Sequence, residues 1–194
     1  QASELCIAPI TKGATPPGGT GSIDTGIPFL KVYNLTFDGN LDFTIEPTFI
    51  SEEAHTGEVR RSQIAAGDVL MNIVGPPLGK VSVVPSGFPS ANINQAIARF
   101  RMPENSAATF MAAYLLSDWA QRWFSARSKK TSGQKNLTLE LCQTLPVPFP
   151  PEDCLGVVIS SIEAAFESVR LAEARRLQVD GVYKAIIREV LGNV

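Results

Sequence analysis

Histidine occurs once in the 194 residues, at His55, and that scarcity removes most common catalytic arrangements. A Ser-His or Cys-His pair has only this imidazole to use, and no G-x-S-x-G nucleophile elbow occurs. His55 lies in an acidic stretch and reads as an exposed surface or packing residue. Cysteine is also scarce. Cys6, Cys142 and Cys154 are odd in number and far apart, with no C-x-x-C pair, which argues against a disulfide framework and a zinc site. They read as reduced structural residues. No apolar run approaches the length of a membrane span, and the N-terminus lacks a basic region followed by a hydrophobic core, so the chain is expected to be cytoplasmic and to have no membrane partner.

Catalytic signatures are missing as well. No Glu-x-Lys occurs anywhere, so the usual nuclease pattern is absent. Gly75-Pro76-Pro77-Leu78 lacks the Asn and the aromatic of the Asn-Pro-Pro-aromatic motif with which amino-methyltransferases hold a target base. The glycine- and proline-rich stretch from Thr11 to Gly21 reads as a loop, but it has no G-x-x-x-x-G-K-[ST] arrangement and leads into no helical pattern. The expectation is a chain that is not an enzyme and needs neither cofactor nor metal. What remains is a binding module.

A net charge of −2 argues against wholesale, non-specific nucleic-acid binding, which depends on neutralising phosphates. The distribution carries more information than the sum. Residues 24 to 58 hold Asp24, Asp38, Asp42, Glu46, Glu52, Glu53 and Glu58 against Lys31 alone, whereas residues 119 to 139 hold Arg122, Arg127, Lys129, Lys130 and Lys135 with no acid. One face can therefore be strongly positive.

With 44% hydrophobic residues the chain can build one core of roughly 150 residues, followed by an appendage. The reading is α+β: a globular mixed sheet and helix domain over residues 1–150, then one long helix over 151–194. Strands are expected at Ile27–Leu35, near Phe43–Ile50, after the Gly67-Asp68 turn as far as Val74, at Gly79–Val84 and at Asn92–Arg101. The third and fourth of these form a hairpin whose tip is Gly75-Pro76-Pro77. Ser106 to about Ala126 reads as one helix with Phe110, Tyr114, Leu115, Trp119 and Trp123 on its core face.

In the last fifth, apolar residues recur at helical steps, among them Ile159, Ile162, Phe166, Val169, Tyr183, Ile186, Ile187 and Val190. Pro148, Pro150 and Pro151 rule out helix upstream, and Glu152 and Asp153 favour a helix start. About forty helical residues reach roughly 60 Å, longer than the preceding domain needs. The stripe is interrupted by Glu173, Arg175, Arg176 and Gln178, a pattern suited to pairing with another helix as an antiparallel coiled coil rather than to burial on all sides. The competing reading is a helix folded back on its own domain.

For DNA, the loops offer Lys12, Thr15 and Thr20 in the glycine-rich stretch, Lys80 beside the hairpin tip, Asn92, Asn94 and Gln95, and a basic loop with Lys129, Lys130, Thr131, Ser132, Gln134, Lys135 and Asn136. Lysines and hydroxyls suit phosphates, whereas Asn and Gln can contact base edges. The competing reading is a set of ordinary solvated loops whose amides satisfy turns.

The order of several segments then becomes informative. These are Lys12-Gly13-Ala14-Thr15-Pro16, Ile27 to Leu35, Gly67-Asp68-Val-Leu-Met-Asn-Ile73, Gly79-Lys80-Val81, Asn94-Gln95-Ala-Ile97 and Ser132-Gly-Gln-Lys-Asn-Leu137, followed by Leu145-Pro-Val-Pro-Phe-Pro-Pro151 and the long helix. In this order the chain resembles half of a type I restriction-modification specificity subunit, namely one target recognition domain and one spacer helix. The resemblance implies sequence-specific recognition of one half of a bipartite site in double-stranded DNA. It also implies docking of modification (methyltransferase) subunits, association with restriction subunits through the complex, and no catalysis by the specificity subunit itself. A full family member has two recognition domains and two helices, so the chain is either a natural half-size subunit that forms a homodimer or an excised half. The Glu-Gln pair that often follows the double proline in this family is replaced here around Cys154-Leu155.

Overall fold

The apolar run after Gly67 becomes the strand on which two layers meet. The structure is a computed structural model that describes residues 1–19, 24–75, 77–131 and 134–191. In chain order the elements are α1 (Ala2–Leu5), β1 (Thr11–Lys12), β2 (Ile27–Leu30), β3 (Phe49–Ile50), α2 (Glu52–Thr56), β4 (Gln63–Ile64), β5 (Asp68–Asn72), β6 (Val81–Val83), β7 (Ala91–Ile93) and β8 (Ile97–Arg101). They continue with α3 (Asn105–Leu116), α4 (Asp118–Arg127), β9 (Lys129–Thr131), β10 (Gln134–Asn136), α5 (Leu139–Thr144) and α6 (Glu152–Leu191). One sheet has the order β1-β8-β5-β6, antiparallel throughout, and the other the order β3-β2-β7-β4, in which β2 and β7 run parallel.

All of β5 is buried, and its alternating side chains face two different cores. Val69 and Met71 join Phe100, Met111, Leu115 and Phe124 in the layer between the first sheet and the helices. Leu70 joins Leu30, Ile93 and Ile97 in the layer beneath the second sheet. Burying a side chain of this size stabilises the fold by roughly 1.5–3 kcal/mol. Asp68 opens the strand with only 1% of its side chain exposed, and it accepts two hydrogen bonds of 2.7 Å from Arg101, its cross-strand partner on β8. The amide of Ala65 donates to the same carboxylate at 2.8 Å.

The β5–β6 hairpin forms as expected, whereas several other elements differ from the sequence reading. The strand expected over Ile27–Leu35 ends at Leu30 because Asn34, fully buried, turns the chain. Its Oδ1 accepts from the Lys31 amide at 2.9 Å, and its Nδ2 donates to the carbonyls of Asp42 and Ile45. The strand expected near Phe43–Ile50 shrinks to Phe49–Ile50. The strand expected over Asn92–Arg101 is split between the two sheets, because Asn94 Oδ1 accepts from the Ala96 amide and closes a turn. Thr11 and Lys12, expected in a loop, pair with β8.

The helix expected over Ser106–Ala126 breaks at Ser117, whose hydroxyl accepts from the Ala120 amide and caps α4. The break resets the helical phase. Phe110 and Leu115 are buried as expected, but Ala120 and Phe124 replace the tryptophans on the core face of α4, leaving Trp119 50% exposed. The basic loop is a β-hairpin, β9 paired with β10.

The long helix α6 begins at Glu152, as its prolines suggest, and lies against α3. Ile159 is buried there, Leu155, Val158, Ile162 and Phe166 are half-buried, and the Phe166 ring covers Gly39. Ile159, Ile162 and Phe166 were expected on a surface facing a second helix, and the structure corrects this: they face the chain's own globular part. Every residue from Ser168 to Val190 is exposed, a projection of roughly 35 Å.

Asp68→Asn removes the charge that Arg101 answers while nearly keeping the shape. It is expected to lower the free energy of unfolding by about 3 kcal/mol, read from urea denaturation. An unchanged midpoint would show that the pair does not hold the two strands.

Candidate nucleic-acid interface

Backbone hydrogen bonds bring four segments with proposed DNA-binding residues side by side. Gly13 lies so close to the turn between β7 and β8 that a Cβ there would sit 2.0 Å from the Ile93 carbonyl oxygen, so only glycine fits. The Gly13 and Ala14 amides donate to the carbonyls of Ile97 and Ile93. On the other side of that turn, the Ile73 amide donates to the Ala96 carbonyl at 2.8 Å. Val74 then bridges to Asn136, and the Gly75 amide donates to the Lys135 carbonyl at 3.3 Å. The row therefore runs from residues 12–15 through 94–97 and 73–75 to β10 and β9.

Along this row Lys12, Thr15, Gln95, Lys129 and Lys135 are exposed, and the Thr15 hydroxyl is hydrogen-bonded to the Gln95 side-chain oxygen. The register of the β9–β10 hairpin sets Lys129 opposite Asn136, Lys130 opposite Lys135 and Thr131 opposite Gln134. Two lysines facing each other across a short hairpin repel, a cost that a bound polyanion would relieve. Lys80 is half-buried, where its amide donates to Asn72 Oδ1. Thr20 and Ser132 lie outside the described residues. Among the described residues, the ion pairs use the N-terminus and arginines, so Lys12, Lys129 and Lys135 keep their charges uncompensated by a carboxylate.

Three amides expected at base edges are committed to the fold. Asn92 is fully buried: its Nδ2 donates to the Val59 carbonyl and to Ser62 Oγ at 2.8 and 2.9 Å, and its Oδ1 accepts from His55 Nδ1 at 2.5 Å. From that position Asn92 cannot meet DNA, because burial and three partners hold it in the core. Asn94 is half-buried and closes its own turn. Asn136 is half-buried, and its Oδ1 is buried without a donor among the described residues. His55, expected on the surface, is half-buried and also faces the Gln63 amide at 3.3 Å. Its tautomer, with the proton on Nδ1, follows from the amide it serves.

Other chemistry is muted. Burial pushes the Cys142 thiol up to about 12 and the Cys6 thiol up to about 11, so both remain protonated and unreactive at neutral pH. Among the described residues no cluster of His, Cys, Asp or Glu suits a metal ion, and no helix is long and apolar enough to cross a membrane. The charge count placed Arg122 and Arg127 in the positive segment but did not single them out as site residues. The structure sets both on the outer side of α4, with the Arg127 guanidinium 4.5 Å from the centre of the Trp123 ring. The Ser117-Asp118 capping signal was the clue that α4 turns this face outward.

Two sheets, a helical layer and a long terminal helix together define the fold of restriction-modification specificity subunits. The chain matches the HsdS subunit from Thermoanaerobacter tengcongensis over 98% of its own length and 47% of that chain, with 17% identity and a TM-score of 0.62. It matches a chain of a type I R-M system, described for its complex assembly and conformational transition, over 98% of its length and 43% of that chain, with 17% identity and a TM-score of 0.66. The type IIG restriction endonuclease BpuSI is similar over 82% of this chain and 26% of that one, with 10% identity and a TM-score of 0.56. The chain thus spans less than half the length of these neighbours. No protein-family model and no curated sequence matches it.

Asn92→Ala leaves three buried groups without a partner. It is expected to lower stability by about 2 kcal/mol in thermal or urea unfolding while leaving any DNA sequence preference of the folded protein unchanged. A changed preference at unchanged stability would return Asn92 to the interface.

Proposed function

We propose that this chain is the non-catalytic recognition component of a type I restriction-modification complex and that it reads one half of a bipartite site in double-stranded DNA. Residues up to about 150 form the recognition part, and α6 is the spacer that holds two such parts apart and helps dock the modification subunits. Restriction subunits join through the complex. The observation that carries this reading is the fold likeness to HsdS over 98% of the chain, long helix included. The aligned row of uncompensated lysines supports it, since phosphates are met by cations that carry no prior partner.

The exposed half of α6 supports pairing. Val169, Val179, Val182, Tyr183, Ile186, Ile187 and Val190 are 38–72% exposed, and an apolar stripe of this length is stable in water only when covered. A second copy running antiparallel covers it symmetrically, giving a homodimer that reads a symmetric two-part site. A second reading is favoured by the likeness to BpuSI: the chain is the recognition segment of a larger single-chain methyltransferase-nuclease. That likeness extends over less of the chain, so the first reading is preferred.

Two outcomes are expected. Replacing Lys129 and Lys130 by Ala weakens binding to every duplex and makes log K fall less steeply with log salt, by about 0.9 per lost phosphate contact, whereas Gln134→Ala changes which sequence is preferred. Fluorescence anisotropy over a salt series reads the first effect and a binding-site selection the second; a duplex affinity unmoved by either change would remove the β9–β10 hairpin from the interface. Val182→Asp with Ile186→Asp converts a dimer to monomer in sedimentation velocity without changing the thermal stability of the globular part. A wild-type chain that is monomeric at all concentrations would end the homodimer reading.

A further inference from the structure

We propose that the cleft between α4 and the β5–β6 connection is a binding site for a DNA backbone phosphate, held by Arg122 on one side and Lys135 on the other. This rests on the DNA-recognition reading above and adds to it a site that the loop chemistry of the sequence did not reveal. The cleft has a volume of about 490 Å³, with Pro77 and Leu78 forming one wall, Gln121, Arg122 and Ser125 the other, and Lys135 of β10 closing one end.

The cleft is rigid where it needs to be. The Gln121 side-chain amide donates to the Gly79 carbonyl at 3.0 Å and to the Leu115 carbonyl at 2.7 Å, tying the hairpin connection to the helices. Gly79 has φ +80°, and a Cβ there would come within 2.1 Å of the Gln121 side-chain oxygen, so glycine is required for this approach. With its amide nitrogen spent in this way, Gln121 is a wall of the cleft and not a reader of bases.

The free polar groups are donors. The Arg122 side chain is 85% exposed, and its one carboxylate neighbour, Asp118 on the rim of the same cleft, is 3.8 Å away and 94% exposed. A pair this open and this long holds the guanidinium weakly. The Lys135 ammonium donates to Ser125 Oγ at 3.2 Å, a neutral acceptor that leaves its charge in place. Two cations facing one exposed acid leave the cleft positive. A base edge presents donors and acceptors together, whereas a phosphate presents acceptors only, and this donor set fits the phosphate. Lys135 also belongs to the hairpin that carries the proposed base-reading side chains. A phosphate gripped here fixes the register in which that hairpin meets the bases.

The test uses the full chain and a random-sequence duplex, with anisotropy measured across a salt series. R122Q with K135Q is expected to make the log K against log salt slope shallower by about 1.8 and to weaken binding roughly tenfold at low salt, while R122K with K135R keeps the wild-type slope. R170Q with R176Q makes the same change in net charge on α6 and is expected to leave the slope unmoved. If the double variant fails to fold by circular dichroism, R122Q alone, at an exposed position, is expected to give half the change in slope. A wild-type slope in the cleft variants, or an equal loss in the α6 control, overturns the phosphate site while leaving DNA recognition standing. A wild-type chain that binds no duplex overturns both.

Discussion

A strand buried on both faces cannot slip by a single residue, because the shift would exchange every side chain between two cores of different shape. β5 is such a strand, and the remainder of the molecule is referred to it. Asp68 sets its register against β8 through Arg101, and β8 in turn fixes the turn at residues 94–97. The far end of β5 runs into Ile73–Gly75, the segment on which β10 is built. The exposed lysines of the row are therefore a few residues from the best-determined strand in the fold. Short loops on a rigid base can present a fixed pattern of charges, which a surface that reads one sequence among many requires.

Much of this architecture was legible in the chain, and the differences have specific physical causes. The β5–β6 hairpin, the proline-limited start of α6 and the positive segment after residue 119 follow from local pattern. What the pattern could not convey is where a polar side chain turns inward. Asn34, Asn92 and Asn94 look alike in sequence, yet one folds a loop around itself, one joins a buried network with His55, and one closes the turn that divides a strand between two sheets. An amide expected to contact DNA and an amide satisfying a turn have the same chemistry, and only burial separates them. Likewise, Trp119 and Trp123 continue the apolar spacing of α3, but a single capped break at Ser117 rotates α4 and exchanges the tryptophans for Ala120 and Phe124.

Charge is separated along the chain in a way that the net value hides. The acids of residues 24–58 lie around β2, β3 and α2, whereas the cations from Arg122 to Lys135 lie on α4 and the β9–β10 hairpin. A polyanion approaching such a molecule is attracted to one side and repelled from the other, so orientation precedes contact. This also explains how a chain with a net charge of −2 is compatible with DNA binding: duplex affinity depends on the cations within reach of phosphates, because interactions beyond a Debye length of about 8 Å are screened.

The apolar stripe of α6 changes owner near Val169. Up to Phe166 it is spent on the chain's own α3 and on Gly39, and beyond it the same periodicity continues with nothing to cover it. A helix lacking the first contact would pivot about the proline segment, and one lacking the second would have no reason to continue for roughly 35 Å past the globular part. Together the two halves turn a rotation at a flexible joint into a fixed lever. The distance between two recognition parts then depends on helix length and register rather than on a linker's average extension. A reader of two half-sites needs that property, since each added base pair moves the second half-site along the duplex by about 3.4 Å and rotates it about the axis.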